Sequence, residues 1–465
     1  MPRIRARATR DLCFVFSLAL VPPLANASGF ALLEQSGSRL GSAFSGTAAA
    51  ADDPSTVYFN PAGMTQLDGM QFALVASGVE ITSELSNQGS LPALGQPLGG
   101  SGGDAGDWNL IPSGYFVVPL TRDLVFGFGV NAPFGLRLEY EPDWLGRFQA
   151  IDSEIETLNF NPSLALRVSD RVSIGIGVSY QRLQAELTNA VNYSAVIAQG
   201  VQQLVAAGQL PAAAAPGIIA ANAGAEGLAR VRGDDEAWGF NVGVTFDLTD
   251  ATRIGLAYRS AIEYDIGGSI QFAAPSGAEP VGASIIQAVS ASGGPLASGA
   301  AKVDLKLPDS AILSLRQRLG PNLDLLADVA WTGWSSLEEL RINRDTGETV
   351  SVTPERWEDV WRYALGAAYR VNDAFTFRAG VAYDETPVPA STRTPRLPDP
   401  NRTWVAVGAR WAPNDALMLD FGYAHLFSDD VRMNQDAGNV ASSGLIRGEQ
   451  SSDVDIISTQ LTYRF

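Results

Sequence analysis

Residue types that carry covalent chemistry are scarce in this chain and badly placed for it. The one histidine, His425, lies in Phe421-Gly-Tyr-Ala-His425-Leu-Phe427, where strand parity groups it with large outward aromatics rather than beside a serine. The Gly-x-Ser-x-Gly match from Gly99 to Gly103 sits in a glycine-rich loop with no strand-to-helix turn to expose a nucleophile. Neither a paired set of carboxylates nor a metal-ligand spacing stands out. No catalytic residue, cofactor or metal site is expected, and the chain does not read as an enzyme. What remains is apolar chemistry. Ile197, Val201, Leu204 and Val205 recur at helical spacing in an Ala-rich stretch, giving an amphipathic helix, and Ile285, Ile286 and Val289 form a second apolar group. Two such faces either make a groove for a hydrophobic ligand or pack on one another.

The elements that must position these residues are strands. Val454 to Phe465 puts Ile457, Leu461, Tyr463 and Phe465 on one face and Ser458, Gln460, Thr462 and Arg464 on the other. The same period of two recurs around Ile174, Ile176 and Val178, around Phe240, Val242 and Val244, and around Phe375, Phe377 and Val381. Large residues alternate with small or polar ones, as in a barrel with lipid outside and water or packing inside. Turn clusters at Thr121–Asp123, Ser169-Asp170, Thr249–Thr252, Gly320–Asn322, Asn372-Asp373 and Pro413–Asp415 define hairpins. With a first strand near residues 70 to 84 and a closing strand near 452 to 465, the tally is fourteen, even as such barrels require. Long connections at about 85–108, 132–154, 186–236, 266–303, 335–357, 386–401 and 428–451 read as extracellular loops opposite short periplasmic turns.

The amino terminus fits export. Arg3, Arg5, Arg7 and Arg10 precede an apolar run from Leu12 to Leu20 and an Ala25-Asn-Ala27 site, so residues 1–27 read as a cleaved signal peptide. The only cysteine, Cys13, leaves with it, excluding disulfides and cysteine metal sites from the exported chain. Removing the four arginines and Asp11 takes 32 basic and 50 acidic residues to 28 and 49, a net charge of −21 that argues against nucleic-acid binding. No later segment offers roughly 18 uninterrupted apolar residues, so strands must do any membrane crossing. Residues 28–69, rich in Gly, Ala and Ser, precede the first strand and read as a hatch filling the lumen of a barrel over 70–465.

The stretches Ser28-Gly-Phe30, Gly41–Gly46, Ala51-Asp-Asp53 and Asn60-Pro-Ala62 carry a resemblance, with Phe377–Asp384, Pro387-Val-Pro389, Pro398–Arg402 and Trp404 downstream. In this order they resemble the FadL-type (OMPP1/FadL/TodX) outer-membrane transporters of long-chain fatty acids and other hydrophobic compounds. The resemblance implies a fourteen-stranded antiparallel transmembrane β-barrel with an N-terminal hatch in the lumen and short helices in extracellular loops. It also implies an apolar loop groove, a deeper pocket, and lateral release through a kink in the third strand of a Gram-negative outer-membrane barrel. Asn60, Pro61 and Ala62 match the hatch motif near that kink. Gly127 and Gly129 lie on the expected third strand, where glycine permits a bend or simply makes room for the plug. Arg182 and Arg341 match the positions that the family uses near the ligand carboxylate. Arg182 has outward parity, and Arg341 replaces a lysine.

The implied ligand is a hydrophobic small molecule, a long-chain fatty acid first among them, and the implied surroundings are outer-membrane lipid around a monomer. About fifteen buried methylenes would supply at most about 12 kcal/mol, at roughly 0.8 kcal/mol each, before ordering costs. Passive movement down successive apolar sites then needs no energy-coupling motif. A channel for aromatic or aliphatic hydrocarbons is the alternative, and a surface adhesin or structural barrel is a second.

Overall fold

The computed structural model describes residues 29–291 and 293–465. The expected signal peptide, residues 1–27, lies outside the described residues, as does Ser28 of the first resemblance stretch. A closed antiparallel barrel of fourteen strands surrounds the segment that precedes it.

The strands are β1 (Gln71–Asn87), β2 (Trp108–Pro119), β3 (Leu124–Asn131, resumed at Gly135–Glu139), β4 (Asp152–Ser169) and β5 (Val172–Asn192). Next come β6 (Glu226–Thr249), β7 (Thr252–Arg259, resumed at Ile262–Ala273), β8 (Gly299–Leu307, resumed at Ser310–Leu319) and β9 (Leu323–Thr332, resumed at Glu339–Arg344). The last are β10 (Thr349–Pro354, resumed at Val360–Arg370), β11 (Phe375–Asp384), β12 (Arg402–Asn414), β13 (Leu417–Ser428, resumed at Val431–Gln435) and β14 (Ile446–Arg464). The barrel closes by pairing β1 with β14 from Gln71↔Arg464 to Asn87↔Gly448.

The expected turns are where strands reverse on the periplasmic side, and their side chains explain why. Thr121 Oγ1 accepts from the amides of Asp123 and Leu124, Asn372 Oδ1 from Ala374 and Phe375, and Asn414 Oδ1 from Ala416 and Leu417. Each satisfies backbone donors that the bend leaves unpaired. Alternation is also as read: on β5, Ile174, Ile176 and Val178 are exposed to the lipid side while Ser173, Gly175, Gly177 and Ser179 are buried inside. No helix among the described residues is long and apolar enough to cross a membrane, and the crossing is made by strands. One expected loop is different. The stretch 335–357 is mostly a hairpin that carries β9 and β10 beyond the membrane, turning at Arg344–Glu348 with bonds of 2.8 Å.

Residues 29–70 fold inside the lumen as three short helical pieces, α1 (Gly37–Leu40), α2 (Thr56–Phe59) and a 3₁₀ turn (Pro61–Gln66). So little regular structure leaves many backbone groups to satisfy, and the barrel supplies partners. Asp328 on β9 accepts from the amides of Gly46 (2.7 Å) and Thr47 (3.0 Å), Ser314 from Ala48 (2.9 Å), and Gln460 on β14 from Gly37 (3.0 Å). Close backbone approach needs bare walls. A Cβ on Gly255 would lie 1.9 Å from the Ala48 carbonyl, on Gly243 1.9 Å from Asn60 Oδ1, and on Gly380 2.2 Å from the Ser42 carbonyl. Glycines at inward positions of several strands therefore form a belt shaped to the hatch.

Candidate functional site

The site is built where the start of the hatch meets the interruption of β3. That interruption is Ala132-Pro133-Phe134, between Asn131 and Gly135. Pro133 has no amide hydrogen to give to a ladder, so a break there is locally inexpensive. The hatch occupies the vacated bonds: Leu32 N donates to the Pro133 carbonyl (2.8 Å), and Gly135 N donates to the Phe30 carbonyl (2.9 Å). Ala31 and Phe134 are bridge partners. Gln35 spans the two wall strands, donating to the Ala132 carbonyl (2.6 Å) and accepting from Ser113 of β2 (2.8 Å). Beyond Gly114↔Val130 the β2–β3 ladder ends, although β2 continues to pair with β1 to Trp108.

Two cavities lie along this hatch segment. The upper one, of about 100 Å³, has walls from Leu136, Ile155, Val231, Ile266, Leu305 and Ile342, contributed by separate strands. The lower one, of about 110 Å³, lies behind the β3 break and is lined there by Leu33, Tyr58, Pro133 and Phe134. Between them stands an aromatic cluster. Phe30 contacts Trp334 (4.9 Å between ring centroids), Trp357 (5.7 Å) and Phe134 (6.0 Å), all edge-on, and Trp334 contacts Trp357 at 4.9 Å. Gly29 makes this packing feasible, with φ +62° and a missing Cβ that would meet the Trp334 ring at 2.8 Å.

The polar groups are few. Arg396, on the connection from β11 to β12, faces the upper cavity and donates to the Asp152 carbonyl (3.2 Å), Ser153 Oγ (3.0 Å) and Asn189 Oδ1 (3.2 Å). Every acceptor is neutral. Burial pushes the Arg396 guanidinium down to about 10, with Glu355 and then Asp152 acting the other way. Glu355 also lines this cavity; burial pushes its carboxyl up to about 7, although it accepts from the Trp357 indole at 2.9 Å. The lower cavity has Arg259, which donates to Tyr58 O (2.9 Å) and Ser179 Oγ (3.1 Å), and Arg362, which donates to Ala43 O (2.7 Å). Glu34 is wholly buried on the hatch, its carboxyl oxygens accept no hydrogen bond among the described residues, and burial pushes its carboxyl up to about 7.

The structure disperses the expected site residues. Arg182 points outward and pairs with Asp234 at 3.1 Å, both well exposed. Its neighbours Leu183 and Gln181 take the inward parity, so no bulge redirects it. Arg341 pairs with Glu339 at 2.7 Å on the outer face, while Leu340 and Ile342 on either side line the upper cavity. Neither arginine lines the upper or the lower cavity. Ile197 and Val201 are fully buried in α3 (Tyr193–Ala206), packed with Ile286 of α5 (Pro280–Ser290), with α4 (Ala215–Ala221) alongside. The loop helices thus pack on one another, while Leu204 and Val205 of α3 are partly exposed. Gly127 and Gly129 sit in unbroken ladders to both neighbours, before the break. A Cβ at Gly127 would lie 2.2 Å from Met64 Sδ, so this glycine makes room for the hatch. Asn60 caps the Pro61–Gln66 turn through Ala62 N (3.0 Å), and a Cβ at Gly175 would lie 2.3 Å from Ala62 N. His425 lies outward with Phe427 and Tyr423 and bonds Asp455 at 2.9 Å.

A closed barrel with a lumenal hatch, a broken third strand and apolar cavities behind it defines an outer-membrane protein of the transport class. The chain belongs to the outer membrane protein transport protein family (OMPP1/FadL/TodX), whose model matches residues 18–465. It is 30% identical to the long-chain fatty acid transport protein of Escherichia coli K12 over 433 residues, 92% of this chain and 94% of that one. The crystal structure of a Pseudomonas aeruginosa FadL homologue superposes with a TM-score of 0.82 at 28% identity, over 94% of this chain and 100% of that one. The toluene transporter TodX of P. putida shares the fold, with a TM-score of 0.63 at 18% identity over 89% and 94% of the two chains.

Proposed function

We propose that this protein carries long-chain fatty acids passively across the outer membrane. The observation that carries the reading is Arg396, a guanidinium with only neutral acceptors on the wall of an apolar cavity. A fatty acid asks for that combination: apolar walls for the chain and one charge-assisted bond for the carboxylate. The relatives include a long-chain fatty acid transporter of near-equal length. The route runs from the loop helices to the upper cavity, past the aromatic cluster, into the lower cavity and sideways at Ala132–Phe134 into lipid. Cavities of about 100 and 110 Å³ are small beside the roughly 300–1,000 Å³ of ligand pockets, so an acyl chain must displace rings of the cluster as it advances. All parts of the route lie within one chain, and a monomer suffices.

The test is uptake of labelled oleate and of toluene by cells with and without the protein, and with Arg396→Gln. Oleate uptake that depends on the protein and falls in the variant supports the reading. Protein-dependent toluene uptake indifferent to Arg396 would move the assignment to hydrocarbons, and uptake of neither to an adhesin or structural barrel.

A further inference from the structure

The opposite end of the lumen has the reverse chemistry. Beneath the hatch, at the periplasmic mouth, a cavity of about 470 Å³ is walled by inward arginines. Arg253, Arg316 and Arg318 reach it from β7 and β8; Arg370, Arg378, Arg410 and Arg464 reach it from β10, β11, β12 and β14. In a chain with 32 basic and 50 acidic residues this concentration of arginine runs against the average.

Seven nearby aspartates equal these seven arginines in number, but the pairing is uneven and leaves two arginines without a carboxylate among the described residues. Asp324 is shared by Arg316 (2.7 Å) and Arg318 (3.7 Å), and Asp420 by Arg378 (2.8 Å) and Arg410 (2.9 Å). Asp247 takes Arg253 (2.6 Å), Asp53 lies 3.8 Å from Arg410, and Asp52 of the hatch takes Arg39 (2.7 Å). Asp68 and Asp373 also line the cavity without an ion pair among the described residues. Among the described residues Arg370 finds only the Pro321 carbonyl at 3.4 Å, and the buried Nε of Arg464 has no hydrogen-bond partner. The surroundings act on Asp52: burial alone would raise its carboxyl, yet Arg39, then Arg316, Arg378 and Arg410, hold it well below the usual range. Leu67 and Met418 are the large apolar residues of the lining, too few to hold an acyl chain.

We propose that this vestibule binds a compact, doubly charged oxyanion of the phosphate type from the periplasm, through Arg370 and Arg464 and the arginines that share carboxylates. Guanidinium forks match the oxygens of such an anion two at a time. The barrel wall separates the cavity from lipid, so the ligand is a soluble anion rather than a headgroup. The site is independent of the transport reading and of the upper cavities. Once bound, the anion competes with Asp52 for the same arginines, so it loosens the hold of the barrel on the hatch.

The experiment is calorimetric titration of the purified, detergent-solubilised barrel with inorganic phosphate, at fixed ionic strength and a pH where phosphate is a dianion, with chloride as the control. Saturable phosphate binding is expected, weakened at least tenfold in the Arg370→Gln, Arg464→Gln double variant and unchanged in Arg122→Gln, which alters an exposed turn residue outside the cavity. Should the double variant misfold, Arg370→Gln alone, at an exposed position, is the readout. Absence of saturable binding, an equal response to chloride, or binding untouched by these substitutions would overturn the proposal.

Discussion

Arg396 and Glu34 show what burial does to a charge when its partner is neutral or missing. Replacing Arg396 with Gln keeps a donor but removes the charge. A bond to a charged group contributes about 1.5–3 kcal/mol, so oleate binding is expected to weaken about 10- to 100-fold. Arg182→Gln and Arg341→Gln are expected to bind as the parent does, because their partners, Asp234 and Glu339, are on the outer face. Equilibrium binding of labelled oleate checks all three. Glu34 makes a different statement. Its carboxyl is raised from 4.5 to about 7, so the folded state holds a proton that the unfolded chain releases sooner. Stability is then greatest below about pH 4.5 and falls as pH rises through about 7, by about 3 kcal/mol at most. Thermal unfolding in detergent between about pH 5 and about pH 8 should show this decline, and Glu34→Gln should make it shallower, leaving the share contributed by Glu355, which is likewise raised to about 7. Strand parity carried the information about these side chains unevenly. It correctly turned Arg182 outward, and the same alternation places Arg259 and Arg362 inward beside the lower cavity. Arg396 sits on an irregular connection with no period to follow, and its role emerges only when β4 and β5 supply its acceptors.

Among the elements, the interruption of β3 and the belt of glycines are two uses of missing atoms. Proline removes a donor and lets the hatch replace a ladder bond; glycine removes a side chain and lets the hatch approach a wall. Gly255→Ala is expected to push the Ala48 carbonyl away and destabilise the hatch by about 1–3 kcal/mol. Hydrogen exchange at the Ala49 and Ala50 amides, both bonded to Gly46, should quicken. Gly267→Ala meets nothing within 4 Å and serves as the unaffected control. The hairpins were legible because turn residues act locally: Thr121, Asn372 and Asn414 fix their bends within three residues. The break at Pro133 was less so. Glycines inside the strand drew attention, although whether a glycine bends or merely clears space depends on what faces it, and Met64 facing Gly127 comes from a separate segment. The Glu339–Pro354 hairpin was hidden because, outside lipid, its outward face carries the polar Glu339 and Arg341, while Leu340 and Ile342 turn to the cavity.

At the scale of the whole molecule, the barrel holds two largely apolar cavities toward one end and an arginine-lined vestibule at the other. The proposed lateral route requires the hatch and the broken strand to part. A cysteine pair replacing Ala31 and Phe134, which are bridge partners, should form a disulfide that stops oleate uptake under oxidising conditions, with recovery on reduction. The reduced pair controls for the lost Phe134 ring, and full uptake by the oxidised form would rule out opening at this seam. Fold class and strand number were legible because lipid imposes one rule on every strand. The two cavities were not, since each is assembled from residues of many strands that only closure brings together.

The glycine belt also bears on how such proteins can diverge. Bare wall positions such as Gly243, Gly255 and Gly380 are each cut to a particular carbonyl or side chain of the plug, so the two parts carry a shared template that neither can revise alone. A plug transplanted from a relative would meet clearances made for another backbone, and a barrel freed of its own plug would keep gaps that nothing else fits. Chimaeras that exchange whole hatches should therefore fail more often than those that exchange extracellular loops.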